Sequence, residues 1–243
     1  MNGIEITCLT KKFKERTAVD SLNLTIRQGE FFALLGTNGA GKTTTIKMLS
    51  CLLEPTSGDA LMMGNSLVTN SNAVKQIINV SPQETAVASK LSIKENLEVI
   101  ARIYGDNARE AAKKTDAMLA AFRLTDRAKD KAKSLSGGMQ RKLSIAMALI
   151  TNPQILFLDE PTLGLDVHAR RDLWNTIREL KGKITIILTT HYLEEAEALA
   201  DRIGIMTQGK MRIVGTAREI MSVTGTATFE DAFLKFADEE AMR

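Results

Sequence analysis

Gly36-Thr37-Asn38-Gly39-Ala40-Gly41-Lys42-Thr43 fits the spacing G-x-x-x-x-G-K-[ST], and the chemistry such a spacing serves is the cradling of a polyphosphate. The glycines let successive backbone N–H groups turn inward around an anion, and a helix opening at the end of the loop adds the positive end of its dipole. In that arrangement Lys42 neutralises the β- and γ-phosphates, the Thr43 hydroxyl ligates Mg²⁺, and Thr44 supplies a neighbouring hydroxyl toward the α-phosphate. A glycine-rich turn ahead of an ordinary helix has a similar composition. The apolar run Phe31 to Leu35 directly before the loop, and the Lys-Thr pair at its end, favour the phosphate cradle.

Two further groups of residues could act on the same anion. Asp159 and Glu160 close the apolar run Ile155-Leu156-Phe157-Leu158, and open α/β sheets place their ligands at the carboxyl ends of strands. There Asp159 is suited to hold Mg²⁺ through water, and Glu160 to orient and deprotonate a water attacking the γ-phosphoryl group in line. An Asp-Glu pair can also be a strand meeting solvent; downstream of a phosphate loop it reads as a site. Leu135-Ser136-Gly137-Gly138-Met139 puts Ser136 and the amides of Gly137 and Gly138 at a helix start, where they can grip an anion. A Ser-capped helix with a flexible entry is the plainer alternative.

The elements that must position these residues follow from periodicity. Gly3 to Leu9 and Leu22 to Ile26 alternate as half-buried strands do, with a turn at Gln28-Gly29-Glu30. Phe31 to Leu35 predicts a buried strand, and a helix follows from Lys42 to about Leu52, ended by Glu54-Pro55-Thr56-Ser57-Gly58. A further buried strand is expected near Ile77 to Val80, then a helix-rich stretch to about Ile150. Ser92-Ile93-Lys94-Glu95 is a capping-box start with Leu97, Ile100, Ala101 and Tyr104 at helical spacing. Asn107 to Phe122 gives a second helix, and Ser136 opens a third with Leu143, Ala146, Met147 and Ile150 on one face. Asn152-Pro153 marks the return to the sheet. Ile155 to Leu158 and Ile184 to Leu188 read as central parallel strands, joined by a helix from about Val167 to Leu180. Ile203 to Met206 and Met211 to Val214 form a closing hairpin. Beyond Gly215 the chain is helical and ends in an acidic, mobile tail.

Composition narrows the classes. Lys+Arg 32 against Asp+Glu 29 gives a formal charge of +3 over 243 residues, too balanced for a nucleic-acid surface. Cys8 and Cys51 lack C-x-x-C spacing, which favours reduced thiols in the cytosol. With only His168 and His191 besides, a structural zinc site is not expected. The amino terminus has no signal-peptide pattern, and the longest apolar runs fall far short of the roughly 20 residues needed to span a bilayer. Membrane-spanning helices, if the protein works at a membrane, are then supplied by another chain.

Taken in order, the phosphate loop, the Leu135–Met139 cassette and the Asp159-Glu160 pair resemble the ATP-binding subunits of ABC transporters, and the resemblance covers essentially the whole chain. Met139 stands where that family more often has Gln, a departure familiar in the branch of drug-resistance and sodium-export ATPases and lipid exporters. The resemblance implies an α/β fold: a RecA-like P-loop NTPase core, an antiparallel β subdomain and an inserted helical subdomain at about residues 84–151. Residues 1–222 would form the ATPase domain, and 223–243 a C-terminal helical tail in which Glu230 to Leu234 resembles the exporters' short terminal helix. It further implies that Phe13 stacks on adenine where Tyr is usual, and that Gln83 contacts Mg²⁺ and the attacking water and senses the membrane partner. Leu163-Gly164-Leu165-Asp166 would cross a dimer interface, with Leu163 in place of a frequent Ser, although Asp166 can equally cap the next helix. His191 would be the switch histidine, a neutral imidazole donating one hydrogen bond to the γ-phosphate. Ser136 to Gly138 would grip the γ-phosphate of ATP bound to the other subunit. The implied protein binds and hydrolyses ATP with Mg²⁺, pairs head-to-tail, and powers transport, on the export side by branch, through permease subunits on a separate chain, from the cytoplasmic face of the membrane. A soluble ABC-type ATPase acting on ribosomes or chromosomes would carry two cassettes or a long coiled coil, and a P-loop kinase or GTPase would leave the Ser136 cassette unexplained.

Overall fold

The computed structural model describes residues 1–238; the end of the acidic tail, residues 239–243, lies outside the described residues. The chain opens with a long hairpin, β1 (Asn2–Phe13) and β2 (Arg16–Arg27), then β3 (Phe31–Leu35) and α1 (Lys42–Leu49). There follow β4 (Ser57–Met62), β5 (Asn65–Ser66), α2 (Ser71–Ile77) and β6 (Ile78–Ser81), and then the helices α3 (Ile93–Ile103), α4 (Ala108–Ala121) and α5 (Gly137–Leu149). β7 (Ile155–Asp159), α6 (Val167–Arg178), β8 (Thr185–Thr190), α7 (Leu193–Leu199), β9 (Arg202–Thr207) and β10 (Lys210–Gly215) complete the sheet, and α8 (Ala217–Thr224) and α9 (Phe229–Asp238) close the chain.

Two sheets result. An antiparallel one has the order β2-β1-β4-β5, and a six-stranded one has the order β10-β9-β3-β8-β7-β6. All neighbours in the larger sheet are parallel except β9 and β10. The apolar runs are explained by burial on both faces. In β3, Phe31, Ala33 and Leu35 join the core shared with α3 to α9, while Phe32 and Leu34 join the core under α1 and the antiparallel sheet. β7 divides in the same way, Leu156 and Leu158 to one side and Ile155 and Phe157 to the other. Each of these Leu, Ile and Phe side chains, fully withdrawn from water, contributes about 1.5–3 kcal/mol.

The register sets the site. Leu35 pairs with Thr190, Asp159 with Thr189, and Ser81 with Leu158. The phosphate loop after β3, Glu160 after β7, His191 after β8 and Gln83 after β6 therefore leave the sheet along one edge.

Several expectations are corrected. α1 stops at Leu49 rather than Leu52, because Cys51 adopts a left-handed φ of 57°. The strand near Ile77 begins at Ile78 and is only half-buried, since β6 lies at the edge of the sheet. β4, β5 and α2 were not anticipated: β4 turns only Ala60 and Met62 fully inward, and α2 buries only Val74. α6 ends at Arg178, before Leu180. The capping box expected at Ser92 is formed, and the second helix carries another at Asn107. Phe229, Ala232 and Phe233 of α9 are buried in the main core beside β9, while Leu234 is exposed.

Candidate functional site

A cleft of about 660 Å³ opens at this edge, lined by Phe13, Arg16 and Ala18 of the hairpin, by Asn38 to Thr44, and by Gln83, Glu160, Leu163 and His191. A larger depression of about 800 Å³ lies between Arg27–Glu30 and Thr216–Val223 and contains none of the motif residues; the smaller cleft is the one that carries chemistry.

The loop is held from below. Gly209 N donates to Ala40 O at 2.9 Å, and Asp20 N to Gly209 O at 2.9 Å, so the β9–β10 turn and the hairpin brace it. Lys42, only 5% exposed, donates to Gly36 O at 2.7 Å and Thr37 O at 3.1 Å and stands 3.7 Å from Glu160 Oε1. Burial lowers its pKa, and the Glu160 and Asp159 carboxylates oppose that shift. A phosphate oxygen arriving in the loop offers Lys42 an anionic acceptor in place of two neutral carbonyls.

The acidic side is equally constrained. Asp159 Oδ1 accepts from Thr189 Oγ1 at 2.5 Å and from Thr43 Oγ1 at 3.4 Å. Glu160 leaves the strand with a φ of 47°, and its N–H is shared by Thr189 O and Thr189 Oγ1, both at 3.1 Å. That turn aims its carboxylate across the cleft, where Oε2 lies 2.6 Å from His191 Nδ1. With a carboxylate as acceptor, Nδ1 carries the proton, so a neutral ring presents its Nε2 lone pair outward. The expected donation from a neutral His191 to a γ-phosphate thus requires the Glu160 contact to break, which also frees Glu160 to accept a proton from water. Thr43 and Asp159 are hard oxygen donors 3.4 Å apart, and the described residues contain no group of three His, Cys, Asp or Glu side chains that could hold a metal ion. That donor set fits Mg²⁺, which keeps waters and substrate phosphates as ligands.

Phe13, on the rim and 47% exposed, has the Lys11 ammonium 5.3 Å from its ring centre; it is not a core residue. Ser136, Gly137, Gly138 and Asp166 do not line the cleft. Ser136 caps α5, its hydroxyl accepting from Met139 N at 3.4 Å, and Asp166 caps α6, accepting from His168 N and Ala169 N. The Ala169 amide is the main reason that the Asp166 carboxyl is held below the usual range. A Cβ on Gly137 would meet only Leu165 at 3.7 Å, and one on Gly138 would meet Ala169 Cβ at 3.0 Å. Ser136, Gly137 and Asp166 are therefore exposed outside the cleft, while Leu163, at the start of the 163–166 loop, lines it. His168 is exposed on α6, touches Asp166 through its backbone N–H and does not line the cleft.

Sequence reasoning missed Thr189, whose hydroxyl ties Asp159 to the Glu160 amide, and Arg141. The Arg141 guanidinium, 4% exposed, donates to Pro82 O at 2.5 Å, Gln83 O at 2.7 Å and Glu160 O at 3.1 Å. It fastens the body of α5 to the Gln83 loop and to the backbone of Glu160. The only signal was a charged residue inside a helix whose neighbours Leu143 and Ile145 are apolar.

A family profile described as ABC transporter matches residues 19–163. The chain belongs to the ABC transporter family. This ABC ATPase is 41% identical over 224 residues to the daunorubicin resistance ATP-binding protein DrrA3 of Streptomyces coeruleorubidus, covering 92% of this chain and 71% of that protein. It is 37% identical over 243 residues to the human retinal-specific phospholipid-transporting ATPase ABCA4, covering 99% of this chain but 11% of that protein. Among solved structures, the ATP-binding subunit of an ABC transporter superposes with a TM-score of 0.84 at 29% identity, over 96% of this chain and 99% of the other. The expected RecA-like α/β fold and the resemblance to the drug-resistance branch are borne out, and ATP hydrolysis is the activity of the family. Among the described residues, no helix is long and apolar enough to cross a membrane.

Proposed function

We propose that the chain is the ATP-hydrolysing subunit of an export-type ABC transporter. It acts from the cytoplasmic face of the membrane through permease subunits on a separate chain, and closes head-to-tail on ATP with a second ATPase subunit. The observation that carries this reading is the split of the motif residues into a set that lines the cleft and a set, Ser136 to Gly138 and Asp166, that does not. The cleft offers Phe13 to adenine and the 36–44 loop to the phosphates, with Gly36, Thr37, Asn38, Gly39, Ala40 and Gly41 presenting backbone, Lys42 its charge and Thr44 a hydroxyl near the α-phosphate. Thr43, Asp159 and Gln83 would hold Mg²⁺, which neutralises charge on the β- and γ-oxygens when bound. Glu160 accepts the proton of the attacking water, and His191 and Lys42 stabilise the transferring group. Ser136, Gly137 and Gly138, with Asp166 nearby, would present an anion-gripping helix start outside the lining of their own chain's cleft. In the pair each cassette covers the nucleotide held by the partner, and hydrolysis lets the pair reopen. Residues 1–222 serve as the ATPase domain, its insert at about 84–151 and the Gln83 loop meeting the permease, with 223–243 as a helical tail.

Gly137→Arg tests the split. The position is exposed and has room for a side chain, so the variant folds. It is expected to bind ATP within about threefold of the parent, yet lose at least a hundredfold in turnover, because a charged side chain fills the place of the partner's phosphate contact. ATP hydrolysis at the parental rate, measured by phosphate release, overturns the trans arrangement.

A further inference from the structure

Glu160 sits on backbone that needs holding. Its φ of 47° is a left-handed conformation, which a residue bearing a side chain keeps only where its surroundings over-determine it. The N–H on one side donates to Thr189 O and Thr189 Oγ1, both at 3.1 Å. The carbonyl on the other side accepts from Leu163 N at 3.2 Å and from Arg141 Nη2 at 3.1 Å. The Leu163 contact lies within the turn that Glu160 itself opens. Arg141 ties that carbonyl to a different element.

The same guanidinium makes two further contacts. Nη1 donates to Pro82 O at 2.5 Å, and Nη2 donates to Gln83 O at 2.7 Å. One planar fork thus sets the backbone of Glu160 and the backbone of Gln83, two residues that line the cleft, against a single point on α5. That helix is firmly seated. Leu143, Ile145 and Ala146 are buried in the main core, Ser144 Oγ lies 3.0 Å from Ser81 Oγ of β6, and Lys142 Nζ lies 2.5 Å from Asp172 Oδ2 of α6. Burial lowers the Arg141 pKa, and the Asp159 and Glu195 carboxylates oppose that shift. An apolar side chain would fill the same space without the desolvation cost of a buried charge.

We propose that Arg141 is a positioning residue for hydrolysis. It holds the Glu160 backbone and the Gln83 loop in one fixed relation, so that the Glu160 carboxylate is aimed at the water that attacks the γ-phosphoryl group. Arg141 itself does not line the cleft, and ATP binding does not depend on it. The inference rests on the reading of Glu160 as the base. Misplacing a reacting group by about 1 Å costs on the order of a hundredfold in rate, which sets the scale of the expected loss.

Arg141→Met, made in the full chain, keeps an unbranched stem and removes every donor. The expected result is ATP affinity, read with a fluorescent ATP analogue, and KM both within threefold of the parent, with kcat lowered at least thirtyfold. Arg141→Lys is expected to recover at least fivefold of that loss and to stay at least threefold below the parent, because an ammonium lacks the planar fork. A brace that serves the fold alone predicts a lower melting temperature with parental kcat in the folded protein, and that result overturns the proposal. In a Glu160→Gln background the group to be aimed is gone, so Arg141→Met is expected to lower the residual single-turnover cleavage by at most fivefold. A loss as large there as in the parent overturns the proposal and leaves Glu160 as the base. A Glu160→Gln single variant that hydrolyses within threefold of the parent overturns the base, and the positioning role with it. Should Arg141→Met fail to fold, Arg141→Lys keeps the buried charge, and parental kcat in that variant overturns the proposal.

Discussion

Glu160→Gln is expected to bind ATP as tightly as the parent or more tightly, to lose at least a hundredfold in hydrolysis, and to accumulate as an ATP-bound dimer. The change keeps the shape of the side chain and an acceptor for His191 Nδ1, now 2.6 Å from Glu160 Oε2. It removes the only carboxylate that could take a proton from water among the described residues lining the cleft, and general-base catalysis typically contributes 10²–10⁴-fold. It also removes the anion that stands 3.7 Å from Lys42, leaving that ammonium more available to the nucleotide. Phosphate release and size-exclusion chromatography with ATP and Mg²⁺ check both halves. Hydrolysis within threefold of the parent would assign the base elsewhere.

Gly36→Ala is expected to weaken nucleotide binding, with ATP affinity falling at least thirtyfold, and to lower stability by about 1–3 kcal/mol as overpacking does. A Cβ at this position would stand 2.2 Å from Met206 O and 3.0 Å from Ala40 Cβ. Neither neighbour can give way: Met206 is fully buried and paired with Met211 across the β9–β10 hairpin, and Ala40 is itself a rung of the loop. The methyl would lift the loop from the sheet edge, and the inward-facing amides would no longer converge on one anion. Titration with a fluorescent ATP analogue and urea denaturation measure the two effects. Gly41 is needed for a different reason, since it has a φ of 105° and its Cβ would stand 2.5 Å from Ala18 O.

That contrast shows where sequence reading stops. It identified the loop and credited its glycines with turning amides inward, but Gly36 is small because the backbone of a strand far along the chain passes over it. The parallel strands were legible because both faces of β3, β7 and β8 are buried, which leaves unbroken apolar runs. The motifs were legible because they follow directly from the carboxyl ends of those strands. β4, β5 and α2 were illegible because so few of their residues turn inward. Arg141 and Thr189 were missed for another physical reason. Their partners, the carbonyls of Pro82, Gln83 and Glu160 and the carboxylate of Asp159, are brought to them by tertiary packing, and no local pattern records that. The Glu160 contact to His191 Nδ1 was out of reach in the same way, since it exists only once β7 and β8 are paired.

The most direct test of the central claim mixes two inactive variants. Lys42→Ala keeps an intact cassette on a crippled phosphate loop; Gly137→Arg keeps an intact loop beside a blocked cassette. If a working site takes its loop from one copy and its cassette from the other, a mixed pair contains one complete site, and the mixture is predicted to hydrolyse ATP at a rate well above either variant alone. A mixture that stays at the baseline of its two components, although mixed pairs have formed, would contradict the claim.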